Sequence, residues 1–196
     1  MLLGLDISSK TGIVVVSYDN KLISYEQLEI DNPNKHDDFP LSVFPWANKN
    51  FAKIVDKIEE LFNKYKIDKI IIERTNLGRA RDSQSFLEAT HAYLYDYLYQ
   101  NYKEGFVYLD SSEWRKLVGM RLSTDQKKQN KLINQENKKG NKVIKVNGKR
   151  IGKINKKHLA INLCEQIYGL KLKMKDNNIA DATMLCYAYL LKGENK

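Results

Sequence analysis

Three carboxylates lie at the ends of apolar segments, where one metal site could collect them. Asp6 ends the apolar run 2–5, Glu73 ends the run 70–72, and Asp181 opens an apolar helical segment. A charge at the end of a buried strand is costly unless a partner or a metal ion compensates for it. Since the three residues are distributed over the whole chain, the pattern predicts a single site for divalent metal that the fold assembles.

The donor chemistry indicates which metal ion such a site would hold. Carboxylates placed side by side repel and raise one another's pKa unless a cation lies between them. Hard oxygen ligands favour Mg²⁺ or Mn²⁺ over Zn²⁺, and the sequence has no cluster of His and Cys that would bind zinc. We therefore expect Mg²⁺, with Mn²⁺ as a substitute.

Hydrophobic periodicity predicts the elements that would bring these carboxylates together. Apolar runs predict strands, and apolar residues three or four positions apart predict amphipathic helices. The predicted order is βββαβαβαα, with strands at 2–6, 12–18, 22–30, 69–73 and 105–109, a loop at 31–49, and helices at about 51–65, 86–98, 159–167 and 178–191.

This order predicts an α/β fold with a mixed five-stranded sheet and helices on both faces. In such sheets, sites collect at the carboxyl ends of central strands, where the chain reverses direction. Asp6 and Glu73 both lie at carboxyl ends, so they become neighbours if the first and fourth strands pair. Asp181 would face them from the first turn of the last helix. The small side chains of Ala180 and Ala182 would let that turn approach the sheet.

The basic residues of the chain are concentrated in one internal segment. Residues 127–157 carry twelve Lys or Arg and one acid, a local net charge of +11, which leaves −2 for the rest of a chain whose formal net charge is +9. Blocks of like charge are often solvated segments that only improve solubility, so this interpretation stays open. An anionic membrane surface is another candidate partner, but no apolar face accompanies the charge.

The basic segment contains its own fold signal, which favours nucleic acid as the partner. Asn147-Gly148 separates two short β-prone runs, and this dipeptide favours a hairpin turn of type I′ because both central residues need positive φ. Lys and Arg on such a ribbon would displace the counterions condensed on a polyanion. We interpret residues 125–157, approximately, as a basic insertion that contains a hairpin and grips nucleic acid.

Four motifs, taken in order along the chain, resemble the RuvC family of Holliday junction resolvases, which has a ribonuclease H-like fold. They are the segments 3–12, 71–74, 112–119 and 179–182, which read LGLDISSKTG, IIER, SEWRKLVG and IADA. The third is similar to a segment that phage and other small resolvases carry after the fifth strand. The resemblance implies a single nuclease domain over residues 1–196, which acts as a homodimer and cuts two strands of a four-way DNA junction symmetrically.

The resemblance also implies roles for individual residues. Asp6 would bridge two Mg²⁺ ions whose coordination Glu73 and Asp181 complete, so that cleavage leaves 5′-phosphate ends. Lys157 corresponds to a lysine that the family places near the active site. The basic residues expected to hold branched DNA are Arg74, Arg79, Arg81, Lys142, Lys145, Lys149, Arg150, Lys153 and Lys156.

Two positions depart from the family pattern. The family has a fourth ligand, Asp or His, three residues before the last aspartate, where this chain has Asn178. Asn178 shares a helix face with Asp181 and could ligate through its amide oxygen, whereas Asp176 could join only if the helix begins later. The family's aromatic residue three positions after the glutamate is Asn76 here, so we expect junction opening to differ and to rely on the basic hairpin.

Other function classes stay open at the level of the sequence. A broader branched-DNA or flap endonuclease of the same fold, or a nucleic-acid-binding module without activity, would fit the same charge pattern. The turn 6–12 is also similar to the phosphate-binding turn of sugar kinases and actin-like ATPases. Those folds need a second domain for the nucleotide, and this chain has no room for one.

Composition bounds the setting in which the protein acts. No apolar run approaches the roughly 20 residues that span a bilayer, and the early Asp6 argues against a signal peptide, so we expect a cytoplasmic protein without membrane contact. Cys164 and Cys186 lie in apolar helical patterns and are expected to be free, buried thiols. The Lys-, Asn- and Ile-rich composition would suit a phage of an AT-rich bacterium, acting in the host cytoplasm.

Overall fold

Strands and helices alternate along most of the chain, in a computed structural model that describes residues 1–8, 10–29, 43–74, 81–140, 144–146 and 149–194. The strands are β1 (Leu2–Asp6), β2 (Lys10–Val16), β3 (Leu22–Glu29), β4 (Lys69–Glu73), β5 (Phe106–Leu109), β6 (Ile144–Val146) and β7 (Lys149–Ile151). The helices are α1 (Val43–Lys64), α2 (Arg81–Tyr102), α3 (Ser111–Leu117), α4 (Thr124–Lys138), α5 (Lys156–Tyr168) and α6 (Asn177–Glu194).

Five of the strands form one mixed sheet in the order β3-β2-β1-β4-β5. The meander β1–β3 is antiparallel because its turns are short, whereas β4 pairs parallel with β1, and β5 with β4, after helical crossovers. The first and fourth strands therefore pair, which meets the condition under which Asp6 and Glu73 become neighbours. Their register sets Leu5 opposite Ile72, so Asp6 and Glu73 follow side by side at the carboxyl edge.

Helices cover both faces of this sheet, as the sequence predicts. Leu3 and Leu5 belong to a core shared with α1 and α2, whereas Leu2 and Ile71 belong to a core shared with α3, α5 and α6. Because side chains alternate between the two faces of a strand, the residues at even positions of β1 and odd positions of β4 face α6. The carboxylates that end these two strands are therefore on the face that α6 covers.

Helix α6 approaches the sheet closely at two glycines. A Cβ atom at Gly4 would lie 2.7 Å from the carbonyl oxygen of Ala182, and one at Gly12 would overlap the backbone of Asn178. Ala182 is fully buried, in agreement with the prediction that small residues let this helix approach. The fit leaves no room for a side chain at either glycine position. It also fixes the part of α6 that carries Asp181.

The predicted loop at 31–49 is wrong for its last residues, because α1 begins at Val43. Pro45 is tolerated there, since the first turn of a helix needs no hydrogen bond from its backbone nitrogens. Ala47 is fully buried, which anchors this early turn in the core. The proline and the polar neighbours obscure that anchor in the sequence, where the apolar repeat becomes clear only from Phe51 onwards.

The basic insertion contains the predicted hairpin and, in addition, a helix that the sequence analysis missed. β6 and β7 pair antiparallel, with Ile144 opposite Ile151, while the turn residues 147–148 lie outside the described residues. Helix α4 precedes the hairpin and begins with a capping box between Ser123 and Gln126. Its sequence has few apolar residues, so the amphipathic pattern that marks the other helices is too weak to detect.

Cys164 and Cys186 are free and buried, as expected for thiols in apolar helical patterns. Within the described ranges, none of the helices combines the length and the apolarity that crossing a membrane would require.

Candidate active site

The structure brings Asp6, Glu73 and Asp181 together at the carboxyl edge of β1 and β4. The first two end adjacent parallel strands, and the third faces them from the start of α6. Burial raises the pKa of Asp6 well above its usual value, and the negative charges of Glu73 and Asp181 raise it further. The three side chains, called the carboxylate cluster below, therefore form one electrostatic unit.

Arg115 supplies a positive charge to the carboxylate cluster. Its Nη2 atom lies 3.1 Å from Oε1 and 3.3 Å from Oε2 of Glu73, and 3.5 Å from Oδ2 of Asp181. The three side chains are only 15 %, 12 % and 10 % exposed, so solvent screens these contacts little. One guanidinium thus bridges two of the three carboxylates.

The short helix α3 directs Arg115 towards the cluster. Asp110 caps this helix by accepting hydrogen bonds from the backbone N–H groups of Ser112 (2.7 Å) and Glu113 (3.4 Å). Trp114 is 2 % exposed in the core beneath α6, and the Arg115 guanidinium lies 4.6 Å from the centre of its ring. This segment is one of the four sequence motifs, but none of the predicted roles falls on Arg115. The available signal was an arginine directly beside a core tryptophan.

Arg115 alone does not offset the effect of burying three carboxylates in this site. Burial raises the pKa of Glu73 to about 7; Arg115 opposes this rise and Asp181 adds to it. Burial likewise raises the pKa of Asp181, against the opposing effects of Arg115 and Lys157. A further cation at the cluster would stabilise the ionised carboxylates and lower these pKa values.

The donor set of the cluster fits a hard divalent cation. Oδ1 of Asp181 is buried and has no hydrogen-bond partner among the described residues, so it can accept another cation. Carboxylate oxygens are the ligands that Mg²⁺ and Mn²⁺ prefer. In the described part of the chain, no three His, Cys, Asp or Glu side chains are already arranged around a common metal position. Arg115 instead bridges Glu73 and Asp181.

Lys157 reaches the edge of the carboxylate cluster from the first turn of α5. Its Nζ atom donates a hydrogen bond to Oδ1 of Asn177, the first residue of α6 (3.2 Å). Burial raises the pKa of Asp6 and of Asp181, and the positive charge of Lys157 acts in the opposite direction by lowering both pKa values. Lys157 is therefore near enough to act electrostatically on the cluster without an ion pair to any of its members.

The two candidates for a fourth metal ligand have other partners in this structure. The side-chain amide of Asn178 donates to Oγ of Ser8 (2.9 Å) and to the carbonyl of Lys10, which ties α6 to the turn after β1. Asp176 accepts a hydrogen bond from the backbone N–H of Lys173 (3.1 Å) and so stabilises the 3₁₀ turn Met174–Asp176 before α6. A metal-binding role stays a prediction for both.

The basic residues predicted to bind DNA lie on several elements. Arg74 is exposed directly after β4, Arg81 begins α2, and Lys153 and Lys156 are exposed where the chain leads into α5. The two strands of the hairpin carry Lys145, Lys149 and Arg150. Arg79 and Lys142, together with Asn76, lie outside the described residues.

Helix α4, which lies in the insertion predicted to grip nucleic acid, presents a basic face whose individual residues were not among the predicted DNA contacts. Lys127, Lys131 and Lys138 line a groove of about 440 Å³ along this helix. Their spacing of four and seven residues keeps them on one side of a helix, where a row of ammonium groups suits a phosphate backbone. The spacing is present in the sequence, but it acquires meaning only once this segment is known to be helical.

Comparisons with solved structures find the same fold in RuvC of T. thermophilus. The structure of T. thermophilus RuvC in complex with a Holliday junction substrate matches with a TM-score of 0.60 and 10 % identity, over 99 % of this chain and 94 % of that chain. A second T. thermophilus RuvC structure gives 0.59 and 10 %, over 99 % and 95 %. No protein-family model and no curated protein sequence matches the chain. The likeness shows a fold of the RuvC, ribonuclease H-like type, as the resemblance in the sequence implied.

Proposed function

We propose that this protein is a metal-dependent DNA endonuclease that resolves four-way (Holliday) junctions by paired strand cleavage. The observation that carries the proposal is the convergence of Asp6, Glu73 and Asp181 at one edge of a RuvC-type sheet. The basic insertion supports it, because an acidic cluster repels phosphate and needs positive charge nearby to hold DNA. A homodimer would present two such sites, one for each of the two strands cut.

The carboxylate cluster would hold the metal ions. Asp6, Glu73 and Asp181 would hold two Mg²⁺ ions, with the amide oxygen of Asn178 as the proposed fourth ligand. When bound, the ions would supply a water molecule activated for in-line attack on the phosphodiester and would stabilise the departing 3′-oxygen, which leaves 5′-phosphate ends. Mn²⁺ is the expected substitute, since it has the same preference for oxygen ligands.

Residues of the chain itself would orient the substrate and balance its charge. The ammonium group of Lys157 lies beside the cluster without an ion pair to it. There it would stabilise the negative charge that develops on the scissile phosphate. Burial of the three carboxylates keeps the field of these groups strong, because little water screens them.

Positive residues outside the cluster would hold the branched DNA. The proposed contacts are Arg74, Arg79, Arg81, Lys142, Lys145, Lys149, Arg150, Lys153 and Lys156, to which the groove of α4 adds Lys127, Lys131 and Lys138. Backbone contacts of this kind carry affinity and orientation but no sequence information. Selectivity for junctions would then come from the shape of the DNA and the spacing of two active sites in a dimer.

A labelled synthetic four-way junction tests the proposal directly. With Mg²⁺, the wild type should release two symmetrically cut strands with 5′-phosphate ends, as resolved by denaturing electrophoresis. Asp6→Asn and Asp181→Asn should abolish cleavage while junction binding stays the same or tightens, since each removes a negative charge. The matched control is Glu165→Gln, an exposed carboxylate on α5, which should cut normally.

The same assay separates the proposal from its alternatives. Equal cleavage of flaps, forks and junctions would indicate a broader branched-DNA nuclease of the same fold. Tight junction binding with no cleavage in Mg²⁺ or Mn²⁺ would indicate a non-catalytic nucleic-acid-binding module. Normal cleavage by both Asp6→Asn and Asp181→Asn would contradict the assignment of the site.

A further inference from the structure

A buried amide on α4 makes an unusual contact outside the carboxylate cluster. Asn130 is 8 % exposed, and its side chain pairs with the backbone of Ile154 in both directions. Nδ2 donates to the Ile154 carbonyl (2.7 Å), and Oδ1 accepts from the Ile154 N–H (2.8 Å). A side-chain amide offers a donor and an acceptor side by side, as a backbone strand does. Nearby, Nε2 of Gln129 donates to the Gly152 carbonyl (2.7 Å).

Ile154 lies at the point where the hairpin leads into α5. Strand β7 ends at Ile151, three residues earlier. Asn155, the next residue, is the N-cap of α5 and forms a capping box with His158. The N-cap of α5 therefore follows directly after the residue that pairs with Asn130. Through this pairing α4, the end of the hairpin and the start of α5 are joined at one place.

The first turn of α5 carries Lys157 to the carboxylate cluster. Lys157 is three residues beyond Ile154, and its Nζ atom reaches Oδ1 of Asn177 at the start of α6. A capped helix turn is stiff, because its N–H groups are bonded to the cap. A displacement of Ile154 from α4 would therefore also displace Lys157 relative to Asp181.

We propose that Asn130 is a positioning residue that holds the first turn of α5, and with it Lys157, against the carboxylate cluster. The inference rests on the proposed function, in which α4 and the hairpin grip DNA and Lys157 faces the scissile phosphate. Asn130 connects these two parts, because it sits on the helix with the basic groove and fastens the segment that leads to Lys157. DNA bound along α4 would thereby be held at a fixed position relative to Lys157 and the carboxylate cluster.

Hydrogen exchange of the full-length protein tests the contact without requiring activity. Asn130→Asp keeps the side-chain shape but sets a buried anion against the Ile154 carbonyl, and Asn130→Ala removes both bonds without adding a charge. The backbone amides of residues 152–158 should exchange at least about tenfold faster in both variants, since two hydrogen bonds are lost. Asn137→Asp is the matched control, because Asn137 is exposed on the same helix. It should leave this exchange unchanged.

Single-turnover cleavage at saturating junction DNA tests whether Asn130 acts through Lys157. Asn130→Ala should lower the rate about tenfold with a smaller effect on affinity, since the DNA-gripping residues remain. In a Lys157→Ala background the same substitution should have almost no further effect on the rate. Such non-additivity is expected only when one residue acts through the other.

The two measurements give outcomes that can be told apart. Unchanged exchange at 152–158 in both Asn130 variants would overturn the proposal, and so would an equal loss of rate with and without Lys157. A wild type that cuts no junction would refute the proposed function instead. In that case, faster amide exchange up to His158 in the Asn130 variants would still support the proposal that Asn130 holds the first turn of α5. Exchange at wild-type rates there would overturn that proposal.

Discussion

Arg115 gives the carboxylate cluster an internal positive charge. The guanidinium bridges Glu73 and Asp181, two of the residues that are proposed to hold Mg²⁺. Arg115 contacts both carboxylate oxygens of Glu73 but only Oδ2 of Asp181, so a divalent ion that takes Glu73 as a ligand would compete with the guanidinium for those oxygens.

Arg115→Gln should destabilise the metal-free protein strongly. Removing one partner of a buried ion pair leaves an uncompensated charge, at a cost of about 3–5 kcal/mol in the free energy of unfolding. Mn²⁺ should then raise the melting temperature of the variant more than that of the wild type, because the ion no longer displaces Arg115. Thermal unfolding with and without Mn²⁺ measures both effects. Arg121→Gln, at an exposed arginine just after α3, is the control. Equal Mn²⁺ shifts in wild type and variant would argue against competition.

The raised pKa of Glu73 predicts that the metal-free protein becomes less stable as the pH rises. The pKa is about 7 in the folded state, against an ordinary value of 4.5. Between these two values the folded state binds more protons than the unfolded state, so the free energy of unfolding falls with increasing pH, by about 3 kcal/mol in total. The stabilising contribution is thus complete below pH 4.5 and is lost as the pH passes 7.

Denaturant unfolding in the presence of EDTA, at several pH values across this window, measures the effect. Glu73→Gln is the comparison, since it removes the titrating group and should flatten the slope relative to the wild type. Saturating Mg²⁺ should reverse the trend for the wild type, because the ion favours the ionised carboxylate. Parallel pH curves for wild type and Glu73→Gln would show that Glu73 is not the group responsible.

Some of the residues in the site could be predicted from the sequence, and others could not. Asp6 and Glu73 end buried strands, where an unpaired charge is conspicuous, so their proximity follows once β1 and β4 pair. Arg115 was not predictable in this way, because its role depends on how the cap at Asp110 turns α3. Asn178 shares a helix face with Asp181, yet its amide is directed to Ser8, a contact that sequence spacing does not reveal.

At the scale of the elements, the hairpin β6–β7 is proposed to hold DNA and to take no part in the chemistry. Its strands carry Lys145, Lys149 and Arg150, and its end is fastened to α4 through Gly152 and Ile154. A hairpin of two short strands is only marginally stable alone, so this attachment to α4 keeps the arm in place.

Replacing residues 144–151 by a short glycine linker should weaken junction binding and flatten its salt dependence. Each lost phosphate contact lowers the slope of log affinity against log salt by about one. The replacement spares Gly152 and Ile154, so the attachment to α4 and the metal-dependent nicking at high DNA concentration should survive. Fluorescence anisotropy with a labelled junction at several salt concentrations is the measurement. Unchanged affinity and slope would mean that the hairpin is only a solvated loop.

The elements themselves were predictable to different degrees. Strands β1 and β4 are continuous apolar runs, and their predicted bounds agree with the structure. Helix α4 escaped prediction because it has few apolar residues, while its capping box at Ser123 and the pairing of Asn130 leave no apolar repeat in the sequence. The seating of α6 on Gly12 is likewise a tertiary fit, which a single sequence cannot reveal.

At the scale of the whole molecule, paired cleavage requires two carboxylate clusters and hence two copies of the chain. Sedimentation should give a dimer of the 22.8 kDa chain at concentrations that cleave junctions. Mixing wild type with an excess of Asp6→Asn should form dimers with one competent site. On a supercoiled cruciform plasmid such mixtures should produce nicked circles in place of linear DNA. A protein that sediments as a monomer while it linearises the plasmid would contradict the paired mechanism.

The tight seating of α6 on β1 also encloses a thiol. Cys186 lies where the missing side chain of Gly4 leaves space, with its Sγ atom 2.6 Å from the position that a Cβ would take. Burial raises the pKa of Cys164 to about 12 and raises that of Cys186 as well, so neither is a thiolate at neutral pH. Because the thiolate is the nucleophile that attacks an alkylating reagent, Cys186 can react only after α6 has separated from the sheet. Cys186 and Asp181 lie on the same helix. The alkylation rate of Cys186 in the wild-type protein therefore reports how often α6 separates from the sheet and takes Asp181 away from the carboxylate cluster.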